Sequence, residues 1–591
     1  MKIVVIGGNA SGLSCACRLK RMTDVSVVVF ERLSYTSYAN CGLPYHISET
    51  IANEQDLHVT DVSLLEERFG LDVRTGTNVI SIDRVAKKVS VFNEERGNYD
   101  EEYDYLMLSP GSSPIIPKAV HGYSNVVQLR HVGDASKARS LSLNSRHPVV
   151  VGSGYIGLEV LEQLVEARDE YGNIETVSLA TRSPYMLRST VDPEVGHYIH
   201  EECIAHGVDR IVYNTVIDSC DSEDGKITCI HLSNGESLLC DVLFVGTGVC
   251  PSIELAKAAG LRIEHGAVWC NDEMQTSDPY VFTAGDCCLY PTLFGMCPVS
   301  LASPANKAGR IAACNIYAAL NPGAQVRRMP MVNGTSAVKV FDLVVAATGY
   351  PMQKLRKTEL TDVACVRVNG NSHAGYYPGA ESIGLKLVFN EKTGEIYGAQ
   401  CTGKYKAGVS PEKRIDLISA VMSMKGTTYD LEETDLAYCP AVNSARDPAQ
   451  QAAMAANNHI EGFSALLDVD FDFSKFSDKK CLFIDVRTPE EVDFMPLPLK
   501  SSIPLLCIPI DELRNRISEI PSDTDVIFTT CYSAKRSHVA SRILRNRTSA
   551  TVYNVTGGFL FITHFTEQMK LGAADAYVYA SEGENSSIFE F

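Results

Sequence analysis

Residues 2–12 read KIVVIGGNASG, and this stretch decides the fold of the N-terminal part of the chain. The apolar run from Lys2 to Ile6 is typical of a buried strand, and a helical stretch rich in small residues begins directly after the turn. The turn requires Gly7 to bend sharply and Gly12 to let strand and helix pack closely. Backbone N–H groups at the start of such a helix can hold a pyrophosphate.

The next strand supports a dinucleotide-binding module. It covers residues 25–30 and ends at Glu31, about 20 residues after the turn, where an acid can accept hydrogen bonds from a ribose. Asn9 stands where a middle glycine is usual; asparagine tolerates unusual backbone angles but carries a side chain. Strand, turn, helix, strand and acid in this order predict a dinucleotide site.

A second fingerprint follows at residues 148–157, PVVVGSGYIG, in which all three glycines are present. After the next strand, the position that reads the ribose holds Thr181 and Arg182 rather than an acid. An acid would favour NADH and an arginine can accept a 2′-phosphate, so the sequence favours NADPH over NADH. The predicted NAD(P)-binding residues are Gly152, Gly154, Tyr155, Ile156, Gly157, Glu159, Thr181, Arg182 and Gly248.

The composition restricts the class of protein. A formal charge of −19 argues against nucleic-acid binding, which requires a basic face. No apolar run of about 18 residues could span a membrane, and no secretory signal precedes the first strand, so we expect a cytoplasmic protein. The 19 cysteines are scattered without a CxxC pair, and we predict no metal site from their spacing.

One cysteine occupies a distinctive position. Residues 34–45 read SYTSYANCGLPY and follow Glu31 closely, which places Cys41 beside the first dinucleotide site. We expect Cys41 at the start of a helix, where the helix dipole would lower the pKa of its thiol. Cys41 is therefore the predicted redox-active thiol.

Two further segments extend the first module. Residues 280–286, YVFTAGD, read as a strand ending in an acid, and residues 105–111, YLMLSPG, as a strand entering a tight turn. Together with residues 2–31 they resemble the FAD domain of flavin disulfide reductases. The FAD-binding residues that this resemblance implies are Gly7, Gly8, Asn9, Ala10, Gly12, Glu31, Arg32, Ser109, Gly111 and Asp286.

The thiol segment resembles a particular family. Residues 39–45, ANCGLPY, are similar to the redox motif of the coenzyme A-disulfide reductases and their persulfide- and polysulfide-reducing relatives, which are NAD(P)H-dependent. The resemblance covers residues 1–457 and continues through the segments 301–312, 334–342, 373–380, 413–416 and 436–438. It implies a homodimer that acts on a small thiol, disulfide or persulfide.

The resemblance also implies a coenzyme A site, for coenzyme A as substrate or tightly bound ligand. One subunit would contribute Ser14, Arg18, Arg21, Ser37 and Asn40. Its partner would contribute Tyr376 or Tyr377, Tyr438 and Arg446. Residues 440–442 read PAV where the family usually has Pro-Pro-Tyr, so the choice among coenzyme A disulfide, coenzyme A persulfide and polysulfide stays open.

Two alternatives compete with this interpretation. Glutathione-reductase-type enzymes have a second cysteine five positions after the first, but here that residue is His46. Cys41 must therefore form a mixed disulfide or persulfide with a substrate, or cycle through a sulfenic acid as in NADH oxidases and peroxidases. Those oxidases carry a histidine in the first glycine loop, where this chain has Ala10, which favours the thiol substrate. The second alternative is a non-enzymatic sulfur carrier or redox sensor. It is disfavoured because such a protein would need neither of the two dinucleotide-binding fingerprints.

The C-terminal part has a thiol loop of its own. A strand at 525–530 runs into Cys531, and residues 531–537 read CYSAKRS before a helix. Lys535 and Arg536 lie close enough in sequence to favour a thiolate. Residues 485–491, this loop and the Thr556-Gly557-Gly558 segment resemble a rhodanese domain, whose loop usually has glycine where Ala534 stands. The domain is either a sulfurtransferase or a degenerate module.

The predicted fold class is α/β: two Rossmann-like domains for FAD and NAD(P), an α+β dimerisation domain and a C-terminal α/β rhodanese-like domain. The predicted boundaries are residues 1–115 and 246–325 for the FAD domain, 116–245 for the NAD(P) domain, 326–457 for the dimerisation domain, 458–478 for a linker, 479–572 for the rhodanese-like domain and 573–591 for an acidic tail.

Overall fold

The structure, a computed structural model, describes residues 1–468, 473–497 and 503–559. These residues divide into two compact units. The first contains residues 1–183 and 206–334, and the second contains residues 184–205 and the described residues from 335 onward. Across the described ranges, no helix is long and apolar enough to cross a membrane.

The first unit contains a parallel sheet built on the opening strand. Its strands, in spatial order, are Val281–Thr283, Tyr105–Leu108, Lys2–Ile6, Ser26–Phe30 and Asp72–Arg74. Val281–Thr283 pairs with Tyr105–Leu108, so the strand expected within residues 280–286 lies in this sheet. Lys2–Ile6 lies in the middle, which explains its nearly continuous apolar sequence.

A second parallel sheet carries the second glycine loop. Its strands, in order, are Arg210–Val212, Ser178–Ala180, Pro148–Val151, Val242–Val245 and Val126–Val127. The helices of the unit are Ala10–Lys20, Val62–Phe69, Val132–Ser142, Tyr155–Tyr171, Glu254–Ala258 and Ala302–Leu320. Strand, glycine turn and helix thus occur twice, as the sequence predicts.

Antiparallel strands complete the first unit. One sheet contains Thr77–Asp83, Lys88–Asn93 and Gly97–Glu102, and another contains Ile217–Glu223, Lys226–Leu232 and Ser237–Leu239. The two-stranded pairs are Ser112–Pro114 with Val249–Pro251, Ile263–Glu264 with Ala267–Val268, and Leu289–Thr292 with Gly295–Pro298.

The second unit begins with an antiparallel sheet covered by helices. The strands, in order, are Ser336–Val340, Leu343–Gly349, Ile396–Lys404, Ser382–Asn390 and Val363–Asn371. The helices are Pro193–Ala205, Met352–Leu355, Pro411–Ser423, Thr428–Glu432 and Pro448–Ile460. Helix Pro193–Ala205 falls inside the predicted NAD(P) segment but groups with this sheet, because Asp192 and Glu194 bind the side chain of Lys386.

These contacts belong to a buried ionic cluster. Lys386 Nζ lies 2.5 Å from Asp192 Oδ2 and 2.8 Å from Glu194 Oε1. Arg367 Nη2 lies 2.6 Å from the same Glu194 oxygen, and Arg367 Nη1 pairs with Asp468. Burial disfavours the charge on Glu194, but Arg367 and Lys386 lower its pKa to about 2. The cluster joins three segments that are distant in sequence.

A parallel sheet forms the C-terminal module. Its strands, in order, are Ala465–Leu467, Thr551–Val555, Val526–Thr530, Cys481–Asp485 and Leu505–Cys507, with helices Pro489–Phe494 and Lys535–Arg545. The predicted linker 458–478 is wrong in its first part, because a helix extends to Ile460 and Ala465–Leu467 pairs with Thr551–Val555. The acidic tail 573–591 and the end of the predicted domain lie outside the described residues.

Candidate functional site

The first glycine loop is closely packed against its own sheet. A Cβ at Gly7 would lie 2.2 Å from the Ser109 carbonyl oxygen, and a Cβ at Gly12 would lie 1.9 Å from the Gly7 carbonyl oxygen. Gly7 also has φ +103, a conformation that favours glycine. Both glycines therefore act as the sequence predicts, one for the bend and one for the close approach of the helix.

Polar groups beside this loop fit a dinucleotide. The carboxylate of Glu31 accepts hydrogen bonds from Gly8 N at 2.8 Å and Leu33 N at 2.9 Å, which fixes it at the end of its strand. Thr36 Oγ1 is buried against Gly8 and, among the described residues, has no hydrogen-bond partner. A buried polar atom without a partner is the kind of group that a bound ligand satisfies.

The remaining predicted FAD residues surround the same loop. Asp286 Oδ2 accepts a hydrogen bond from Ser112 Oγ at 2.8 Å, and Ser109 Oγ donates to the Ile6 carbonyl. Gly111 has φ +77 in the turn after its strand, as a Ser-Pro-Gly turn requires. Ala10 and Arg32 are exposed.

Asn9 has a role that the sequence did not indicate. Its φ is −122°, so the expected tolerance of unusual backbone angles is not used. Its Nδ2 instead donates to Asn40 Oδ1 at 3.1 Å and to the Tyr38 carbonyl at 3.3 Å. The amide that replaces the middle glycine thereby ties the glycine loop to the segment that carries Cys41.

Cys41 is exposed, but it does not begin an α-helix. It lies in the short 3₁₀ segment Asn40–Gly42, which has no aligned row of peptides to provide a dipole. Partial burial raises the pKa of the Cys41 thiol, and the carboxylates of Glu159 and Asp286 raise it further. The expectation that a helix dipole lowers the pKa of Cys41 is therefore wrong. The protein groups around this thiol raise its pKa instead.

Glu159, a predicted NAD(P)-binding residue, also lies near Cys41. Its carboxylate accepts a hydrogen bond from Tyr45, and its charge contributes to the raised pKa of the Cys41 thiol. Burial and then the neighbouring Glu162 raise its pKa to about 7, although the hydrogen bond from Tyr45 acts in the opposite direction. His46 is buried, and its Nδ1 lies 2.8 Å from the Ile51 carbonyl oxygen. No sequence signal revealed this carboxylate, because it comes from a helix more than 100 residues after Cys41.

The second glycine loop repeats the geometry of the first. A Cβ at Gly157 would lie 2.0 Å from the Gly152 carbonyl oxygen, whereas a Cβ at Gly154 would meet nothing within 4 Å. Gly154 is thus the open position, beside the N-terminus of helix Tyr155–Tyr171, where a pyrophosphate can approach the backbone. The buried Thr181 Oγ1 lies 3.0 Å from Ser153 Oγ, and Arg182 is exposed. These residues fit a nicotinamide dinucleotide.

The predicted coenzyme A residues of the first unit lie along helix Ala10–Lys20 and the Cys41 segment. Ser14 Oγ donates to Asn306 Oδ1 at 2.6 Å, and Ser37 has φ +49. Arg18 Nε is buried without a hydrogen-bond partner among the described residues, which suits a ligand. The Arg21 guanidinium carbon instead lies 5.6 Å from the centroid of the Phe69 ring, so this cation already makes a cation–π contact within the protein.

The predicted tyrosines lie together on the surface of the second unit. Tyr376 Oη and Tyr438 Oη are 2.9 Å apart, and this hydrogen bond raises the pKa of Tyr438. Tyr376 is 78% exposed and Tyr438 50%, unusual for paired aromatic side chains. Tyr377, also exposed, packs edge-on against His373.

The Cys531 loop wraps around a buried thiol. Ala534 adopts φ +65, the left-handed conformation that normally favours glycine, at a cost of about 1–2 kcal/mol. Gly558 supports the loop from behind: a Cβ there would lie 2.4 Å from the Cys531 carbonyl oxygen. Arg536 forms a two-point ion pair with Glu491, at 2.7 Å for each bond, and the nearby Cys531 thiol further raises its pKa.

Arg446 lines a cavity beside this loop, and no tyrosine is among the described residues that line it. This cavity of about 550 Å³ is lined by Arg446, Met454 and Leu466 on one side and by Ser533 and Lys535 on the other. None of its lining residues is acidic, and among the described residues neither the Arg446 guanidinium nor the Lys535 ammonium has a carboxylate partner. Two unpaired cations beside an apolar wall suit an anionic ligand with an apolar arm.

Two nucleotide-binding loops, a thiol segment beside the first and an antiparallel domain define an FAD- and NAD(P)H-dependent oxidoreductase. The chain belongs to the pyridine nucleotide-disulphide oxidoreductase family, whose model matches residues 1–309 and whose dimerisation-domain model matches residues 335–449.

Comparisons with individual proteins agree. The NAD(P)H sulfur oxidoreductase (CoA-dependent) of Pyrococcus abyssi is 32% identical over 458 residues, covering 76% of this chain and 96% of the relative. The crystal structure of reduced Bacillus anthracis CoADR-RHD is 34% identical with a TM-score of 0.88, covering 96% of this chain and 98% of that one. An NAD-dependent persulfide reductase from A. fulgidus is 31% identical with a TM-score of 0.83, covering 95% of this chain and 100% of that one.

Proposed function

We propose that the protein uses NAD(P)H to reduce coenzyme A disulfide, coenzyme A persulfide or polysulfide, with Cys41 as its redox-active thiol. The observation that carries this proposal is the exposure of Cys41 beside the first glycine loop, with buried His46 where a second cysteine would complete an internal disulfide. The names of the relatives from Pyrococcus abyssi and A. fulgidus support it.

The chemistry follows from a single thiol. The Cys41 thiolate attacks one sulfur of a disulfide RS–SR, forms a mixed disulfide with it and releases RS⁻. A flavin held at the first glycine loop would supply two electrons, taken from NAD(P)H. These electrons would reduce the mixed disulfide to the Cys41 thiolate and a second RS⁻. Glu159, with a pKa of about 7, can hold a proton beside the sulfur at neutral pH. Ala10 in the first glycine loop favours this route over an oxidase or peroxidase that cycles through a sulfenic acid.

Substitution of Cys41 tests the assignment. Cys41→Ser should abolish reduction of coenzyme A disulfide and persulfide while leaving the flavin spectrum unchanged, because serine cannot form the mixed disulfide. Cys250→Ser, which replaces another exposed cysteine, is the matched control and should keep full activity. Activity of Cys41→Ser above a few per cent of wild type would assign the chemistry to another cysteine.

The subunit arrangement and the coenzyme are parts of the same proposal. A homodimer would place the exposed Tyr376 and Tyr438 pair of one subunit at the Cys41 site of the other, as the family resemblance implies. NADPH is the favoured coenzyme, since Arg182 is exposed where an acid would select NADH. A kcat/KM that favours NADH about a hundredfold, or about 2.7 kcal/mol, would contradict this preference.

The C-terminal module is proposed to be a rhodanese-like sulfurtransferase in which Cys531 carries a sulfane sulfur. Support comes from the left-handed backbone of Ala534, which keeps the loop conformation in the absence of glycine, and from Arg536 beside the thiol. The cavity beside Lys535 would admit an anionic sulfur compound to this face of the loop.

Mass spectrometry decides between a working and a degenerate module. After thiosulfate or persulfide treatment, Cys531 should gain about 32 Da, one sulfur atom, as a persulfide. Cys531→Ala should lose this adduct and keep Cys41-dependent reduction of small substrates, and Cys507→Ala, another cysteine of the module, is the control. Absence of the adduct while Cys41 still turns over persulfides would show a module that has lost transfer activity.

A further inference from the structure

The antiparallel sheet of Ile217–Glu223, Lys226–Leu232 and Ser237–Leu239 carries a carboxylate, a thiol and an imidazole close together. Asp221 pairs directly with Cys229 across the first two strands, and His231 is two residues further along. Residues two apart on a strand share a face. One ligand atom of each of the three residues lies within 4.8 Å of the other two.

The distance between Asp221 and His231 is compatible with a small divalent metal site. His231 Nε2 lies 3.1 Å from Asp221 Oδ2. Two ligands of a tetrahedral zinc ion, at bond lengths of about 2.0–2.2 Å, are separated by about 3.3 Å. The pair therefore already has nearly the spacing that a shared ion imposes, and a side-chain rotation of Cys229 would bring its sulfur within range.

A third strand orients the imidazole. His231 Nδ1 lies 2.8 Å from Ser237 Oγ, and His231 and Ser237 are paired in the ladder. When Nδ1–H donates to this hydroxyl, Nε2 presents its lone pair toward Asp221 and Cys229. Ligating histidines are usually fixed in this way by a hydrogen bond at the other ring nitrogen.

We propose that Asp221, Cys229 and His231 bind one Zn²⁺, with water as the fourth ligand. A thiolate and an imidazole select Zn²⁺ over Mg²⁺ and Ca²⁺, which require oxygen ligands. The spacing of the cysteines in the sequence did not predict this site, because two strands and their register assemble it. None of the three residues belongs to the nucleotide, substrate or sulfur sites.

Zinc titration of the flavin-loaded, full-length protein tests the proposal. After removal of metals with a chelator, Zn²⁺ is titrated against a chromophoric competitor and bound equivalents per chain are counted. Wild type should bind one equivalent more than Cys229→Ser or His231→Gln. Cys220→Ser is the matched control, since Cys220 pairs with Ile230, on the opposite face of the same ladder, and should bind as wild type does. Ser237→Ala should bind about 10- to 100-fold more weakly.

Cobalt gives an independent readout of the sulfur ligand. Co²⁺ should produce a thiolate-to-metal charge-transfer band in the difference spectrum against metal-free protein, and Cys229→Ser should lose it. Equal flavin content and melting temperature in all variants would show that they fold. Equal zinc binding by wild type, Cys229→Ser and His231→Gln, or no high-affinity equivalent in wild type, would overturn the proposal.

Discussion

Gly154 and Gly157, both in the second glycine loop, should respond differently to the same substitution by alanine. A Cβ at Gly157 would lie 2.0 Å from the Gly152 carbonyl oxygen, so the helix would have to move away by about 1 Å to restore a normal contact. Such overpacking costs about 1–3 kcal/mol. A Cβ at Gly154 meets nothing within 4 Å, and φ −81 is allowed for alanine, so Gly154→Ala should fold normally.

The cost of Gly154→Ala should appear in coenzyme binding. Its methyl group would occupy the space in which a pyrophosphate approaches the backbone N–H groups at the start of helix Tyr155–Tyr171. Loss of one hydrogen bond to a charged group is worth about 1.5–3 kcal/mol. The expected fall in kcat/KM for NAD(P)H is therefore about 10- to 150-fold.

The assay separates the two effects. The melting temperature, the flavin spectrum and kcat/KM for NAD(P)H are measured for both variants and the wild type. Gly154→Ala should keep the wild-type melting temperature and spectrum but lose kcat/KM, while Gly157→Ala should lose stability as well. Wild-type kcat/KM in a correctly folded Gly154→Ala protein would refute the assignment of this loop to the pyrophosphate.

Two further predictions concern stability and assembly. Lys386→Met should lower the free energy of unfolding by about 3–5 kcal/mol in chemical denaturation, because it leaves the carboxylates of Asp192 and Glu194 buried with less compensation. The exposed Lys404 lies on a neighbouring strand, and Lys404→Met should change the unfolding free energy by less than about 0.5 kcal/mol; equal effects would remove the argument from burial. Sedimentation equilibrium should give twice the mass of one chain, since the exposed tyrosine pair is expected to face a second subunit, and a monomer with full activity would contradict this.

Local signals in the sequence were sufficient for the two nucleotide-binding modules. The roles of Gly7 and Gly12 follow from a strand that enters a helix through a short turn, and the structure shows the close backbone approach that each one allows. The grouping of residues 281–283 with residues 105–108 came from the family resemblance, because local signals show only two short strands that end in turns.

Contacts between distant segments could not be predicted in this way. Glu159 approaches Cys41 because a helix from the second module packs against the Cys41 segment. This packing contributes to the raised pKa of the Cys41 thiol, where the sequence predicted a lowered pKa. Arg446 and Lys535 line one cavity although 88 positions separate them in the sequence. No periodicity or spacing reports such packing, which only the folded chain defines.

The attachment of Arg367 changes how the joining of the C-terminal module to the antiparallel sheet is understood. Besides its ion pairs with Glu194 and Asp468, its backbone N–H donates to Thr556 Oγ1 at 3.1 Å, next to the glycine pair that supports the Cys531 loop. A gene that lost the C-terminal module would leave the Arg367 guanidinium without Asp468 and the Arg367 backbone N–H without Thr556. The module therefore helps to stabilise the antiparallel sheet to which it is attached. Its loss would destabilise the rest of the chain in addition to removing any reaction at Cys531.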